Sequence, residues 1–191
     1  HHSRFFRRGG SMQALADLIE RTLELTGSRL LSSPFDPDWR SDCEIHQTAG
    51  ETFWRPIPQS PPVDFSGLAN AVEESIHPDI ENYYGSYWSG TLEAESQEGR
   101  VSLIQLWNLE DFGRLIANLV GHALNKMRAR HPYTVFFATT DPDSEFFLSI
   151  DNDSGVVLLE EPGKPPIQEV ESDISTFLTR LEPKIRQPDI Y

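Results

Sequence analysis

Cysteine is almost absent from this chain. Cys43 is the only one in 191 residues, so no disulfide can close within it and nothing calls for an oxidising compartment. Long apolar runs are missing too, so neither a membrane-spanning helix nor a secretory segment after Met12 is expected. Cations are scarce: sixteen lysines and arginines face thirty acids, a formal net charge of −14. Nucleic-acid phosphates are held by Lys and Arg, so nucleic acid is an unsuitable partner. Direct adsorption to anionic lipid or insertion into it is disfavoured on the same ground. The expectation is a soluble cytoplasmic protein that reaches a membrane only if something basic holds it there.

What remains is ordinary globular material, 38% hydrophobic and 10% aromatic, in a length that suits one domain with a substantial core. The first eleven residues, HHSRFFRRGGS, read as a tag remnant, leaving one domain over residues 12–191. They hold three of the sixteen cations and none of the acids, so the rest of the chain is more acidic still.

The strongest pattern is VSLIQLWNLEDFGRLIANLVGH, Val101 to His122. From Phe112, the residues Leu115, Ile116, Leu119, Val120, Ala123 and Met127 recur at spacings of three and four, one buried face of a helix. Asn108 and Asp111 fit its N-cap and N3 positions, and His131-Pro132 stops it. A helix is expected from Met12 to Thr26, with Ser11 as its cap. Others are expected over Leu68 to Tyr87, where Pro78 kinks the pattern or opens a second helix, and after Ser172. CEIHQT and ETFWRPI flank Ala49-Gly50 as a hairpin, the second strand confined to an edge by its prolines. Trp88 to Glu95, the Val101 run, YTVFFATT, FFLSIDN and GVVLLEE read as further strands, with a short IQEV strand after the PGKPP loop. The fold class that follows is α/β, a layered α+β type with a mixed, largely antiparallel sheet of five to six strands and helices packed on it.

No nucleophile elbow, phosphate-cradling glycine loop, dinucleotide fingerprint or H-E-x-x-H occurs, and no cofactor or metal site is expected. DNDSG at Asp151 has its glycine one position too early for a calcium loop and Pro162 where the closing glutamate belongs, so it reads as a turn. Asp111, Asn118, His122 and Asn125 form a polar stripe on the long helix, and a hydrolase using His122 is the enzymatic alternative. Asp111 lies about 16 Å from His122 along such a helix, too far to hydrogen-bond.

The acids are segregated. No lysine or arginine falls between Arg55 and Arg100, an interval with Asp64, Glu73, Glu74, Asp79, Glu81, Glu93, Glu95 and Glu98. None falls between Arg130 and Lys164, where Asp141, Asp143, Glu145, Asp151, Asp153, Glu160 and Glu161 lie. The expectation is that folding gathers these intervals into one anionic cleft that steers a basic partner over about one Debye length, roughly 8 Å at physiological salt.

WRPIP (Trp54 to Pro58), AVEESIHPDIENYYGSYWSGTLEA and LIQLWNLEDFGRLIANLVGHALNKMRARHPYTVFFAT, in that order, resemble the Syd family of bacterial proteins that interact with the SecY translocation channel. The resemblance spans roughly residues 45 to 141. It implies a cytosolic α/β protein of the wider SUKH superfamily, associated peripherally with the cytoplasmic side of the inner membrane. It also implies docking on the basic cytosolic loops of SecY, with a role in monitoring or dismantling abnormal translocon complexes and no catalysis. The partner-binding candidates are Glu73, Glu74, Asp79, Glu81, Glu110 and Asp111, with Trp54, Tyr84 and Trp88 as aromatic anchors. Arg114, the arginine of D-F-x-R, is expected to pair with an acid or touch a partner. An immunity-type protein that neutralises a toxin is a further alternative from the superfamily likeness.

Overall fold

The computed structural model describes residues 2–186, with side chains from residue 13 onward, so the expected tag remnant lies outside the described side chains. In chain order the first elements are α1 (His2–Leu23), β1 (Leu31–Pro34), β2 (Glu44–Thr48), β3 (Glu51–Trp54), β4 (Ile57–Pro58), α2 (Ser66–Val72), α3 (Pro78–Tyr84) and β5 (Tyr87–Trp88). Then come β6 (Leu92–Ser96), β7 (Gly99–Leu103), α4 (Leu109–Ala129), β8 (Thr134–Thr139), β9 (Phe147–Asp151) and β10 (Val157–Glu160). The chain closes with β11 (Gln168–Glu171), α5 (Ile174–Thr179) and β12 (Glu182–Lys184).

The main sheet has seven strands in the order β11-β10-β9-β8-β7-β6-β12, every pairing antiparallel. The class is as expected and the strand count is higher. The extra strand is β12, whose Pro183 sits opposite Ala94 on the sheet edge, the position a proline tolerates. Two small sheets accompany it, β1-β3-β2 and β4-β5. Leu31–Pro34, at the start of a proline- and aspartate-rich stretch without a strand pattern, adds the strand that pairs with Glu51–Trp54.

Two long strand expectations are cut short, the first for a steric reason. The Trp88–Glu95 run breaks at Gly90, which lies flat on Trp54; a Cβ there would sit 2.5 Å from the indole Cζ2. β7 ends at Leu103; Ile104 N still donates to Phe137 O of β8 at 2.9 Å, and Leu106 then makes an isolated parallel bridge to Trp88. The Tyr83 hydroxyl donates to Ile104 O at 2.8 Å and the Tyr84 hydroxyl to Phe136 O at 2.6 Å, giving these carbonyls a partner.

Pro78 opens α3 at its first turn, as the second of its two expected outcomes has it, and the His77 ring caps it by accepting from Asp79 N at 3.0 Å. Asn108 caps α4, accepting from Asp111 N at 2.9 Å. α1 runs upstream of Met12, so Ser11 lies within it and does not cap it. Asp173, not Ser172, caps α5.

One sheet face carries Val135, Ile150 and Val157 in register and fully buried. Close by, Phe137 meets Tyr83 of α3 and Phe177 of α5, and α1 packs against both helices through Leu15, Leu18 and Ile19. The other face carries Phe136, Phe147, Ser149 and Glu160 beneath α4. A β-bulge between Phe136 and Ala138 keeps both Phe136 and Thr139 on this second face.

Candidate functional site

The loop joining α2 to α3 is built to present acid. α2 closes at Glu73 in the left-handed region (φ 57°, ψ 34°), where a glycine would be unstrained, and its N–H returns to Ala69 O. Glu73 and Glu74 are both exposed. From the β9–β10 turn, Asn152 holds the loop in place: its Oδ1 accepts from His77 N and its Nδ2 donates to Ser75 O, each at 2.9 Å. Gly155 (φ 81°) lets the turn lie against His77, where a Cβ would be 2.8 Å from Nε2. The result is a cleft of about 360 Å³ with Glu74 on one wall and Asp153 on the other.

Asp79 is half-buried behind this cleft, 4.0 Å from His77 Nδ1. Burial raises its pKa, the charge of Asp173 adds to the rise, and His77 opposes it. Glu81 is exposed on the same helix. Asp153 and Asp173 were not singled out from the sequence. Asp153 did fall in the second lysine-free interval, but only the turn's docking on His77 brings it beside Glu74.

Glu110 and Asp111 lie elsewhere, at the N-terminus of α4, and the seven residues of α2 separate them from Glu73. Glu110 and the half-buried Trp88 line a second cleft with Asp38, Asp42, Arg40 and Trp107. The Asp111 carboxylate is engaged by the backbone, accepting from Trp107 N at 2.8 Å, so it serves the helix start. Trp54 and Tyr84 are 2% and 1% exposed and present no ring to a partner. Trp54 donates to Ser33 Oγ at 2.8 Å and meets Trp107 edge-on at 5.7 Å between centroids. Among the described residues Arg114 pairs with no acid; its guanidinium lies 4.4 Å over the Trp39 ring.

The lysine-free intervals do not form one anionic cleft. Glu93 lies 3.8 Å from Arg100 and 3.5 Å from Arg186, Glu95 pairs with Arg186 at 3.3 Å and Glu98 with Arg180 at 2.7 Å. Glu161 pairs with Lys164 at 3.0 Å, and Glu160 is buried against Lys126. Sequence separation concealed most of this, because Arg180 sits at the α5 end, Arg186 beyond β12 and Lys126 on α4, while Arg100 and Lys164 lie close to their acids along the chain. Glu73, Glu74 and Asp153 have no ion-pair partner among the described residues and share one corner, while Asp141, Asp143 and Glu145, equally without an ion pair there, lie on the β8–β9 turn at the other end of β9.

His122 does not meet Asp111. Its Nε2 lies 3.0 Å from Thr134 Oγ1, which donates to Glu160 Oε2 at 2.6 Å, while Ser149 Oγ and Lys126 Nζ hold the same carboxylate. Burial lowers the His122 pKa; Glu160 opposes and Lys126 reinforces the fall. Asn118 is exposed, and Asn125 lines the same cavity as His122.

Residues 12–183 match the family model described as Syd protein (SUKH-2), nearly the whole of the described fold. The chain belongs to the Syd family. It is 40% identical to Protein Syd of Pseudoalteromonas atlantica over 153 residues, covering 78% of this chain and 82% of that protein. The identity to Protein Syd of Hahella chejuensis is also 40%, over 158 residues, or 80% and 81% of the two chains. To Protein Syd of Alteromonas mediterranea it is 38% over 156 residues, or 80% and 85%. The Syd match is wider than the motif blocks between residues 45 and 141, taking in α1 from residue 12 onward and all of α5. Every residue placed above in either acidic cleft, and the whole Lys126–Glu160 cluster, falls inside the Syd-family span.

Proposed function

We propose that this Syd-family protein is a non-catalytic docking module for the basic cytosolic loops of the SecY channel. It works at the cytoplasmic side of the inner membrane, where it monitors or destabilises abnormal translocon complexes. The observation that carries this reading is the corner between α2 and the β9–β10 turn, where Glu73, Glu74 and Asp153 are exposed without an ion-pair partner among the described residues and Asp79 and Asp173 stand behind them. A basic loop brought there gains Coulomb attraction and leaves no internal ion pair to be broken, unlike at Glu93, Glu95 or Glu98. Among the described residues no helix is long and apolar enough to cross a membrane, so membrane association runs through the partner.

The test is recovery of SecYEG from detergent-solubilised inner membrane. Glu73→Lys/Glu74→Lys lowers recovery several-fold while the melting temperature stays nearly unchanged, since exposed substitutions cost within about 0.5 kcal/mol. Glu110→Lys leaves recovery near the unmodified level. If Glu110→Lys abolishes recovery and the double reversal does not, the docking face is the α4 cleft instead. Exclusive capture of a toxin, with no translocon subunit, removes the SecY reading in favour of an immunity role.

A further inference from the structure

Between α4 and the sheet face beneath it lies a cavity of about 260 Å³ that the docking function does not use. Its walls are largely apolar, with Ile104, Ala129, Phe136 and Phe147, and His122 and Lys126 also line it. The charges around it are already matched, Lys126 with Glu160 and Lys164 with Glu161. An ionic ligand would therefore bring an uncompensated charge into a partly desolvated space. The cavity suits a neutral molecule.

The protons can be counted. Glu160 Oε2 takes the single proton of the Thr134 hydroxyl, so at 3.0 Å that hydroxyl oxygen can only accept from His122, whose proton is thereby fixed on Nε2. Nδ1 is left with a lone pair and no partner among the described residues. Lys126, 6% exposed, has three N–H donors and Glu160 Oε1 as its only acceptor among the described residues. Thr134 gives its proton to the carboxylate and not to the imidazole, so Thr134 is not an activated nucleophile. The bulge beside Phe136, a common device for aiming side chains at a site, shapes the wall that His122 faces.

We propose that this cavity binds a small neutral ring compound carrying one hydroxyl, its ring against Phe136 and Phe147, its hydroxyl donating to His122 Nδ1 and accepting from Lys126. The probes are p-cresol, toluene and benzoate, titrated separately into the full chain and followed by NMR shifts. Binding of p-cresol moves Phe136, Phe147 and His122 signals, and is about fivefold to tenfold tighter than that of toluene, as one net hydrogen bond requires. Benzoate binds more weakly than p-cresol. Ala129→Trp, at an exposed lining position near the end of α4, abolishes the shifts in the folded protein, and His122→Phe lowers the preference for p-cresol over toluene. Absence of saturable shifts with p-cresol, equal affinity for toluene, tighter binding of benzoate, or shifts that survive Ala129→Trp would each overturn the proposal.

Discussion

Replacing Lys126 by methionine strips Glu160 of its counter-ion while keeping most of the volume that fills the α4–sheet junction. The two side chains are 7% and 1% exposed, so the carboxylate that remains is deep and charged. Removing one partner of a buried pair costs about 3–5 kcal/mol. Thr134 and Ser149 still donate to Glu160, which puts the expected loss at the lower end, about 3 kcal/mol. For a domain of this size that is a fall in Tm of about 6–12 °C. The pH dependence gives the mechanism away. In the unmodified protein, burial works against ionisation of Glu160, but hydrogen bonds from Lys126, Ser149 and Thr134 outweigh it and hold the carboxyl below its ordinary range. A depressed folded pKa means stability that is present above the unfolded carboxyl pKa and lost as pH falls through the folded value. Without Lys126 burial prevails, the folded pKa rises above the unfolded one, and protonation relieves the strain. Urea unfolding at pH 7 and pH 5, followed by tryptophan fluorescence, should show the gap between the two proteins narrowing as pH falls. Lys126→Met/Glu160→Leu should recover most of the loss. A single-variant cost below about 1 kcal/mol, or a gap that widens toward acid, would refute the reasoning.

Glu73→Gly separates folding from docking: relief of the left-handed backbone leaves stability unchanged or raised by up to about 1 kcal/mol in thermal unfolding, while SecYEG recovery falls. Asn152→Ala removes both hydrogen bonds that tie the β9–β10 turn to the α2–α3 loop, so urea unfolding should show a loss of about 1–3 kcal/mol. Docking weakens in that variant although no charge has changed. Burial pushes the Cys43 thiol up to about 12, with Ser41 partly opposing it, so a thiol reagent such as DTNB at pH 8 labels the folded protein at least about a hundredfold more slowly than the urea-unfolded chain.

The long helix was legible because cap, periodicity and stop agree: Asn108, the Leu115–Leu119–Ala123 face and His131-Pro132 all point to one element. The YTVFFATT, FFLSIDN and GVVLLEE strands were legible for the same reason, with turn residues between them. β12 was not, since Glu-Pro-Lys carries no strand pattern and pairs only because α5 delivers it to the edge of β6. The small β1 strand was hidden in a proline- and aspartate-rich stretch whose partner, β3, supplies its hydrogen-bonding edge. Of the candidate site, Glu73 and Glu74 could be picked from charge pattern alone. Their neighbour Asp153, the neutralisation of Glu93, Glu95 and Glu98, and the burial of Trp54 and Tyr84 are products of long-range packing. His122 drew notice for its polar stripe, yet its partners Thr134 and Glu160 lie on β8 and β10, and no spacing along one helix reveals them.

The claim that matters most is electrostatic docking through the α2–α3 corner, and a salt series on purified SecYEG reads it directly. The affinity of the unmodified protein should fall about tenfold or more between 50 and 300 mM salt, since exposed charges are screened over a Debye length of roughly 8 Å near 150 mM. The Glu73→Lys/Glu74→Lys protein should start weaker and respond less steeply. An affinity that ignores salt, or a double reversal that binds as tightly as the unmodified chain at 50 mM, would contradict the account.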